Sequence, residues 1–320
     1  MTASKGKRIL QLALPLIFQQ LCLQLQVWID RAMLGHINVD YFSAIGNTTV
    51  PYHMITSAIT ALCGGATILI AQKIGAKDIR GAQEVAESSF LGSTIICTAV
   101  YFAFFIGSEQ LFRLMGVQSP ILEYCVEYFR ILSLSLLILG PSATASSILQ
   151  GVGFTKVIMM AGITGNLLNI LLDWILIFGK FGFQKMGVNG AAIATVISQM
   201  VNLLIMAVLF VRHRECISGE EKAQNMPPFQ WKQYGEMLFP ILICELAWSL
   251  GENVYAIIYG RLGTDACAAM TLINPVQSLM IGALCGLSQA ASVIIGKMLG
   301  NREYEDAYDA AKKLIWYGLI

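Results

Sequence analysis

The sequence predicts an all-α membrane protein with two pseudo-symmetric six-helix lobes related as a parallel repeat, the second lobe being incomplete in this chain. Three observations predict this fold: composition, long stretches without charge, and a similarity between the start and the end of the chain. Of the 320 residues, 56% are hydrophobic and 13% are charged, whereas soluble domains carry about 25% charged residues. Such a chain cannot cover itself with polar groups in water, so we expect a lipid bilayer around it.

Stretches free of Asp, Glu, Lys and Arg locate the predicted spans, because a membrane helix needs about 20 mostly apolar residues. They predict helices near 9–34, 46–74, 87–107, 121–146, 156–178, 187–211, 235–260 and 269–298, and a ninth that begins near 308. The fifth and seventh of these helices contain acidic residues.

Lys and Arg concentrate in the connections on one side of this helix order, starting with Lys5, Lys7 and Arg8. Basic loops mark the cytoplasmic side, so we predict a multi-pass protein of the cell (plasma or inner) membrane with its N-terminus in the cytoplasm. The net charge of +1 offers no basic face for nucleic acid, and no nucleic-acid partner is expected.

An internal repeat follows a polar stretch. Leu14-Pro15 matches Phe239-Pro240 and Gly75 matches Gly300 at one constant offset, and Ala61-Leu62-Cys63-Gly64 returns as Ala283-Leu284-Cys285-Gly286 at a slightly shorter one. We therefore divide the chain into a first six-helix lobe (1–212), a cytoplasmic linker (213–233) and a partial second lobe (234–320). Two complete six-helix halves would make about twelve helices, so we expect this chain to be part of a longer protein.

Polar side chains share faces of the first and fifth predicted helices. Gln26 and Asp30 are four residues apart, and Asn166, Asn169 and Asp173 follow at spacings of three and four, which places each set on one helical face. Acids inside a membrane are costly unless they face a partner or a water-filled cavity, so they are candidate functional residues. Both helices run outward and both acids lie within about two turns of the outer end, so we expect them at one depth.

Two carboxylates in one dry cavity repel each other, and one must take up a proton or hold a cation. We therefore predict cation coupling at Asp30 and Asp173, with Na⁺ possible at these residues and Asn169, and no other cofactor. Two alternatives stay open: Asp30 could be an interfacial residue paired with Arg31, and the polar residues of the fifth helix could be a packing cluster.

The seventh predicted helix carries Glu245, Trp248 and Glu252 along one face. An acid beside an aromatic ring suits an organic cation, through its charge and through the ring quadrupole. Hydrogen bonding between the lobes, or snorkelling of the acids toward water, is the alternative interpretation.

Several catalytic patterns are absent from the sequence. It contains no G-x-x-x-x-G-K-[ST] phosphate loop, no H-E-x-x-H and no G-x-S-x-G, which are the commonest signatures of ATPases, metalloproteases and lipases. We expect a secondary carrier and not an enzyme. A membrane enzyme or receptor stays open as another class, as does a major-facilitator carrier, although the basic loop typical of the latter is missing after the second helix.

Five segments resemble motifs of the multidrug and toxic-compound extrusion (MATE) family, in its bacterial form. They are Trp28 to His36, Ala71 to Lys77, Leu149 to Lys156, Asn166 to Asp173, and Pro240 to Gly251 with Glu245 and Trp248. The resemblance implies two six-helix lobes, alternating access, and export of small organic cations or drugs by antiport against Na⁺ or H⁺. It also implies that Asp30 and Asp173, with Asn169, are coupling residues. We expect a monomer.

A lipid-linked saccharide flippase of the same superfamily is the alternative function. It would share the helices but would need a basic cavity for a pyrophosphate, whereas the charged residues deep in the predicted spans are mainly acids.

Overall fold

The computed structural model describes residues 2–35, 39–119, 121–212, 231–262 and 264–319, which form nine α-helices. They are α1 (Thr2–Gly35), α2 (Val39–Gly75), α3 (Ile79–Leu114), α4 (Ile121–Val152), α5 (Thr155–Phe178), α6 (Gly187–Arg212), α7 (Trp231–Leu262), α8 (Thr264–Gly300) and α9 (Tyr304–Leu319). Most of the predicted linker, residues 213–230, lies outside the described residues, and α7 already begins at its end.

Seven of these helices, α1 to α6 and α8, contain segments long and apolar enough to cross a membrane. The chain is therefore a multi-pass membrane protein. Helix α7, with 32 residues, is also long enough to cross a membrane.

Most helices extend beyond their predicted ends, and in α3 and α9 the added first turns contain polar residues that belong to the helix. Helix α3 begins at Ile79, eight residues before the predicted start, since the Asp78 carboxylate caps it by accepting a hydrogen bond from the Gly81 N–H at 2.9 Å. Helix α9 begins at Tyr304 with Glu305 and Asp306 in its first turn, where negative charge is favourable beside the helix dipole. A search for apolar stretches leaves such turns out.

Helix α4 is central to the first lobe and packs against α2, α3 and α6, while α5 packs between α6 and α1. The glycines and small residues of α4 permit these close approaches. A Cβ built on Gly140 would lie 2.8 Å from Cys97 Sγ of α3, and one on Gly151 would lie 2.8 Å from Ile70 Cγ2 of α2. Three clusters of buried side chains in this lobe each include residues of α4.

Helix α8 connects the second part of the chain to the first, because it packs against both α1 and α2. The glycines of its Gly282-x-x-x-Gly286 pattern lie directly on α1. A Cβ on Gly286 would lie 2.5 Å from Ile17 Cα, and one on Gly282 would lie 3.1 Å from Gln24 Cγ.

The turn that follows α2 is repeated after α8 at the offset found in the sequence. Lys77 has φ 60° and Arg302 has φ 61°, a conformation that few non-glycine residues adopt. The Lys77 N–H donates to the Ile74 carbonyl at 3.1 Å, and the Arg302 N–H donates to the Leu299 carbonyl at 3.0 Å. The repeat is therefore present in the backbone as well as in the sequence.

Candidate functional site

Helices α1 and α5 bring the two predicted acids together. The carboxyl groups of Asp30 and Asp173 lie within hydrogen-bonding reach of each other, and Asp173 is 1% exposed. Small residues on α5 make this approach possible, because a Cβ on Gly162 would lie 2.8 Å from Gln19 Nε2 of α1.

Two side-chain amides flank the carboxyl pair. Gln26 Nε2 donates to Asp30 Oδ2 at 3.4 Å and also hydrogen-bonds to the Asn169 side chain, which is 1% exposed. The opposite orientation of the Asn169 amide satisfies its neighbours better: its nitrogen then donates to Asp173 Oδ2 at 3.3 Å, and its oxygen accepts from the Thr195 backbone N–H of α6 at 3.3 Å. Asn169 thus connects both acids to α6.

Several polar atoms of the helices that carry or adjoin this pair are buried and have no hydrogen-bond partner among the described residues. They include Asp30 Oδ1, Asp173 Oδ1, Asn166 Nδ2, Gln199 Oε1 and Asn202 Oδ1. A buried polar group without a partner costs about 1–3 kcal/mol, and native proteins retain such groups where water, an ion or a ligand completes their bonding. The unpartnered atoms lie on α1, α5 and α6, so these three helices enclose the candidate site.

The oxygen atoms of this cluster fit a hard cation. Such ions prefer carboxylate and amide oxygens. Asp30 and Asp173 supply the carboxylate oxygens, and Asn169 supplies an amide oxygen when its amide turns back toward Gln26. A proton fits equally well, because a shared proton would bridge two carboxyl groups at hydrogen-bonding distance.

A second polar contact extends the cluster toward α2 and α4. The Tyr52 and Ser135 hydroxyl oxygens are 2.7 Å apart, and the Tyr52 hydroxyl also interacts with the Gln199 side chain. Sequence reasoning missed Tyr52 and Ser135, since neither shares a helix with an acid and no spacing connects them.

The predicted residues of α7 occupy different surroundings. Helix α7 packs against α2 and α8. Glu245 is half-buried and close enough to the Cys285 thiol of α8 to interact with it electrostatically. Trp248 is 57% exposed and Glu252 is exposed. No interaction seen in the described part of the chain joins these three side chains to the carboxyl pair.

Comparison with known proteins identifies the family of the chain. The MatE family model matches residues 15–175 and 240–320. The chain belongs to the MatE family. It is similar to the probable multidrug resistance protein NorM of Thermotoga maritima, with 28% identity over 313 residues, 93% of this chain and 64% of that protein. It is also similar to the uncharacterized transporter YisQ of Bacillus subtilis, with 23% identity over 91% of this chain and 64% of that protein.

Solved MATE structures confirm the predicted fold. A MATE in complex with MaD3S is 28% identical and has a TM-score of 0.88, covering 97% of this chain and 70% of that one. An outward-facing multidrug resistance MATE transporter is 28% identical with a TM-score of 0.86. The MatE chain described here is therefore an all-α, two-lobe membrane protein, and it spans about 64% of the length of the first two curated relatives.

Proposed function

We propose that this MatE protein is a secondary antiporter that exports small organic cations, drugs among them, in exchange for Na⁺ or H⁺. The proposal rests on one observation, the contact between the half-buried Asp30 and the buried Asp173, whose carboxyl groups each have an oxygen atom that the described residues leave without a partner. The name of the Thermotoga relative supports multidrug export, and the family supports transport and not catalysis.

The carboxyl pair couples the two fluxes by competition. When the site is open to the outside, Na⁺ or H⁺ binds at Asp30 and Asp173, assisted by Asn169 and Gln26. The bound cation neutralises the charge that favours a cationic substrate, so the substrate is released. When the site faces the cytoplasm the cation leaves, and the restored charge attracts the next substrate.

The unpartnered amides of α5 and α6 widen the site beyond the two acids. Asn166 and its neighbours on α6 offer polar groups for a substrate or for the water around it. Glu245, Trp248 and Glu252 of α7 form a second group that suits a cationic aromatic compound, by charge and by cation–π attraction. We propose that they contact the substrate and not the coupling ion.

The arrangement in the membrane is part of the proposal. We propose a monomer in the cell membrane, with a cytoplasmic N-terminus, a first lobe at 1–212, a linker at 213–233 and the second lobe from 234. No cofactor besides the coupling ion takes part. The saccharide flippase is not favoured, because the ionisable groups that meet between α1 and α5 among the described side chains are carboxyls.

Efflux measurements test this function. Right-side-out membrane vesicles from cells expressing the protein are loaded with a fluorescent organic cation, and its efflux is followed under an imposed inward Na⁺ gradient or an imposed inward H⁺ gradient. We expect one gradient to drive transport, and Asp30→Asn and Asp173→Asn to abolish it.

Glu123→Gln is the matched control, because it removes an exposed acid at the start of α4. It should transport normally. Unchanged efflux in both aspartate variants would refute the proposal.

A further inference from the structure

The C-terminal ends of α2 and α8 cross at two glycines that are equivalent in the repeat. A Cβ on Gly75 would overlap the Lys297 carbonyl oxygen and lie 2.9 Å from Lys297 Cα. A Cβ on Gly300 would overlap the Gln72 carbonyl oxygen and lie 2.9 Å from the Ala76 nitrogen. Each glycine therefore packs on a carbonyl of the other helix that lies one turn before the equivalent glycine there. The two backbones touch without an intervening side chain.

Lys297 fastens this crossing to a third helix. Its Nζ donates to the Val152 carbonyl at the end of α4, at 2.6 Å. The last carbonyls of a helix have no partner within the helix and carry partial negative charge, so an ammonium group is a favourable cap there. Gly153, the residue after α4, leaves room for it, because a Cβ at Gly153 would lie 3.0 Å from Lys297 Nζ.

This contact is suited to opening and closing. The glycine surfaces are smooth, so the two helices can part without unlocking interdigitated side chains. The polar contacts across it among the described residues include the Lys297 bond and a 3.5 Å Gln150–Gln289 contact between α4 and α8. The basic-loop bias assigns this end of the helices to the cytoplasm.

We propose that the Gly75–Gly300 crossing, fastened by Lys297 on the end of α4, is the inner gate between the lobes. In the conformation described here the gate is closed. Opening it breaks the Lys297–Val152 hydrogen bond and separates α8 from α2 and α4, which gives the carboxyl pair access to the cytoplasm. The gate deepens the proposed function, since an antiporter needs an inner barrier that opens in alternation with an outer one.

Distance measurements test the gate without any transport. Spin labels are attached at Ala76→Cys and Asn301→Cys, which are exposed positions beside the two glycines, in a chain whose own cysteines are replaced by alanine. Pulsed electron resonance in lipid nanodiscs then gives the distance distribution. We expect one short distance in the parent chain and an added longer population in Lys297→Met and Gly300→Ala.

The size of the effect follows from the bond that is lost. A hydrogen bond to a charged donor corresponds to about a tenfold change in an equilibrium, so the open-to-closed ratio should rise about tenfold in Lys297→Met. Lys297→Arg keeps a charged donor and should restore the short distance. Lys297→Met adds no bulk, and it decides the question even if Gly300→Ala is not recovered as a folded protein.

Two matched controls separate the gate from general loosening. Gly64→Ala lies on α2, where a Cβ meets nothing within 4 Å, and Lys156→Met removes an exposed lysine at the start of α5. Both should keep the parent distance. The gate is refuted if Lys297→Met also keeps it, or if the controls lengthen it equally. A shift in Lys297→Met in a protein that exports no cation would uphold the gate and reject the proposed function.

Discussion

Asp173→Asn should stabilise the protein in alkaline buffer that lacks Na⁺. The substitution removes one of two carboxylates that lie side by side in a buried site, where Asp173 is 1% exposed. Two like charges about 4 Å apart repel by about 4 kcal/mol at an effective dielectric constant of 20. The substitution also loses a hydrogen bond, which lowers stability by about 1 kcal/mol. We therefore expect the free energy of unfolding to rise by about 3 kcal/mol in total.

Adding the coupling cation should stabilise the parent chain more than it stabilises Asp173→Asn. A cation that binds only the folded protein adds about 2.7 kcal/mol when its concentration is 100 times its Kd. The parent chain should therefore be stabilised by Na⁺, if Na⁺ couples, or by acidification, if H⁺ couples. Asp173→Asn should lose most of that response because its site has one carboxylate left.

A thiol-reactive fluorogenic dye measures these changes during heating, because Cys63, Cys97 and Cys125 are at most 3% exposed in the folded protein. Glu123→Gln changes the net charge equally and should melt like the parent under every condition. The reasoning fails if Asp173→Asn melts below the parent in alkaline Na⁺-free buffer and still responds to Na⁺ and to acid as the parent does.

Two further predictions concern stability. Gly140→Ala should lower the free energy of unfolding by about 1–3 kcal/mol, because the added methyl group overpacks against Cys97 Sγ. Gly92→Ala has open space around it and should raise the free energy of unfolding by about 1 kcal/mol through helix propensity. Equal melting temperatures of the two variants would contradict this. Hydrogen bonds from the Gly81 N–H and from Lys73 lower the pKa of Asp78. Asp78→Ala should cost about 1 kcal/mol of capping energy at neutral pH. A carboxylate whose pKa is lowered by folding stabilises the folded protein at pH values above the ordinary pKa of Asp, and this stability is lost as the pH falls through the folded-state pKa. The melting curves of parent and variant should therefore converge in acid.

The helix order and the approach of the two acids could be predicted because both follow from local spacing. A stretch without charge marks a span, and a three- or four-residue spacing places Asn169 and Asp173 on one face. Helix direction then puts Asp30 at the same depth. The functional roles of these residues stay predictions that the transport experiments test.

Contacts between distant helices could not be predicted in the same way. The repeat identifies Gly75 and Gly300 as alike, but likeness in sequence does not say that the two residues touch. The Lys297 bond to the Val152 carbonyl is even less visible, because every residue offers a carbonyl and only the fold decides which one a lysine reaches. The extra turns of α3 were missed because polar residues there continue a helix instead of ending it.

The crossing of α2 and α8 has the geometry of an isologous interface, in which both partners present the same patch to each other. Here both patches belong to one polypeptide, so the protein resembles a dimer whose subunits have been fused. Each residue of the patch has a counterpart in the other half, and Gln72 is the counterpart of Lys297. The Lys297 hydrogen bond to α4 therefore comes from the second half of the chain, and exchanging the residues at positions 72 and 297 tests whether the first half can supply it equally well.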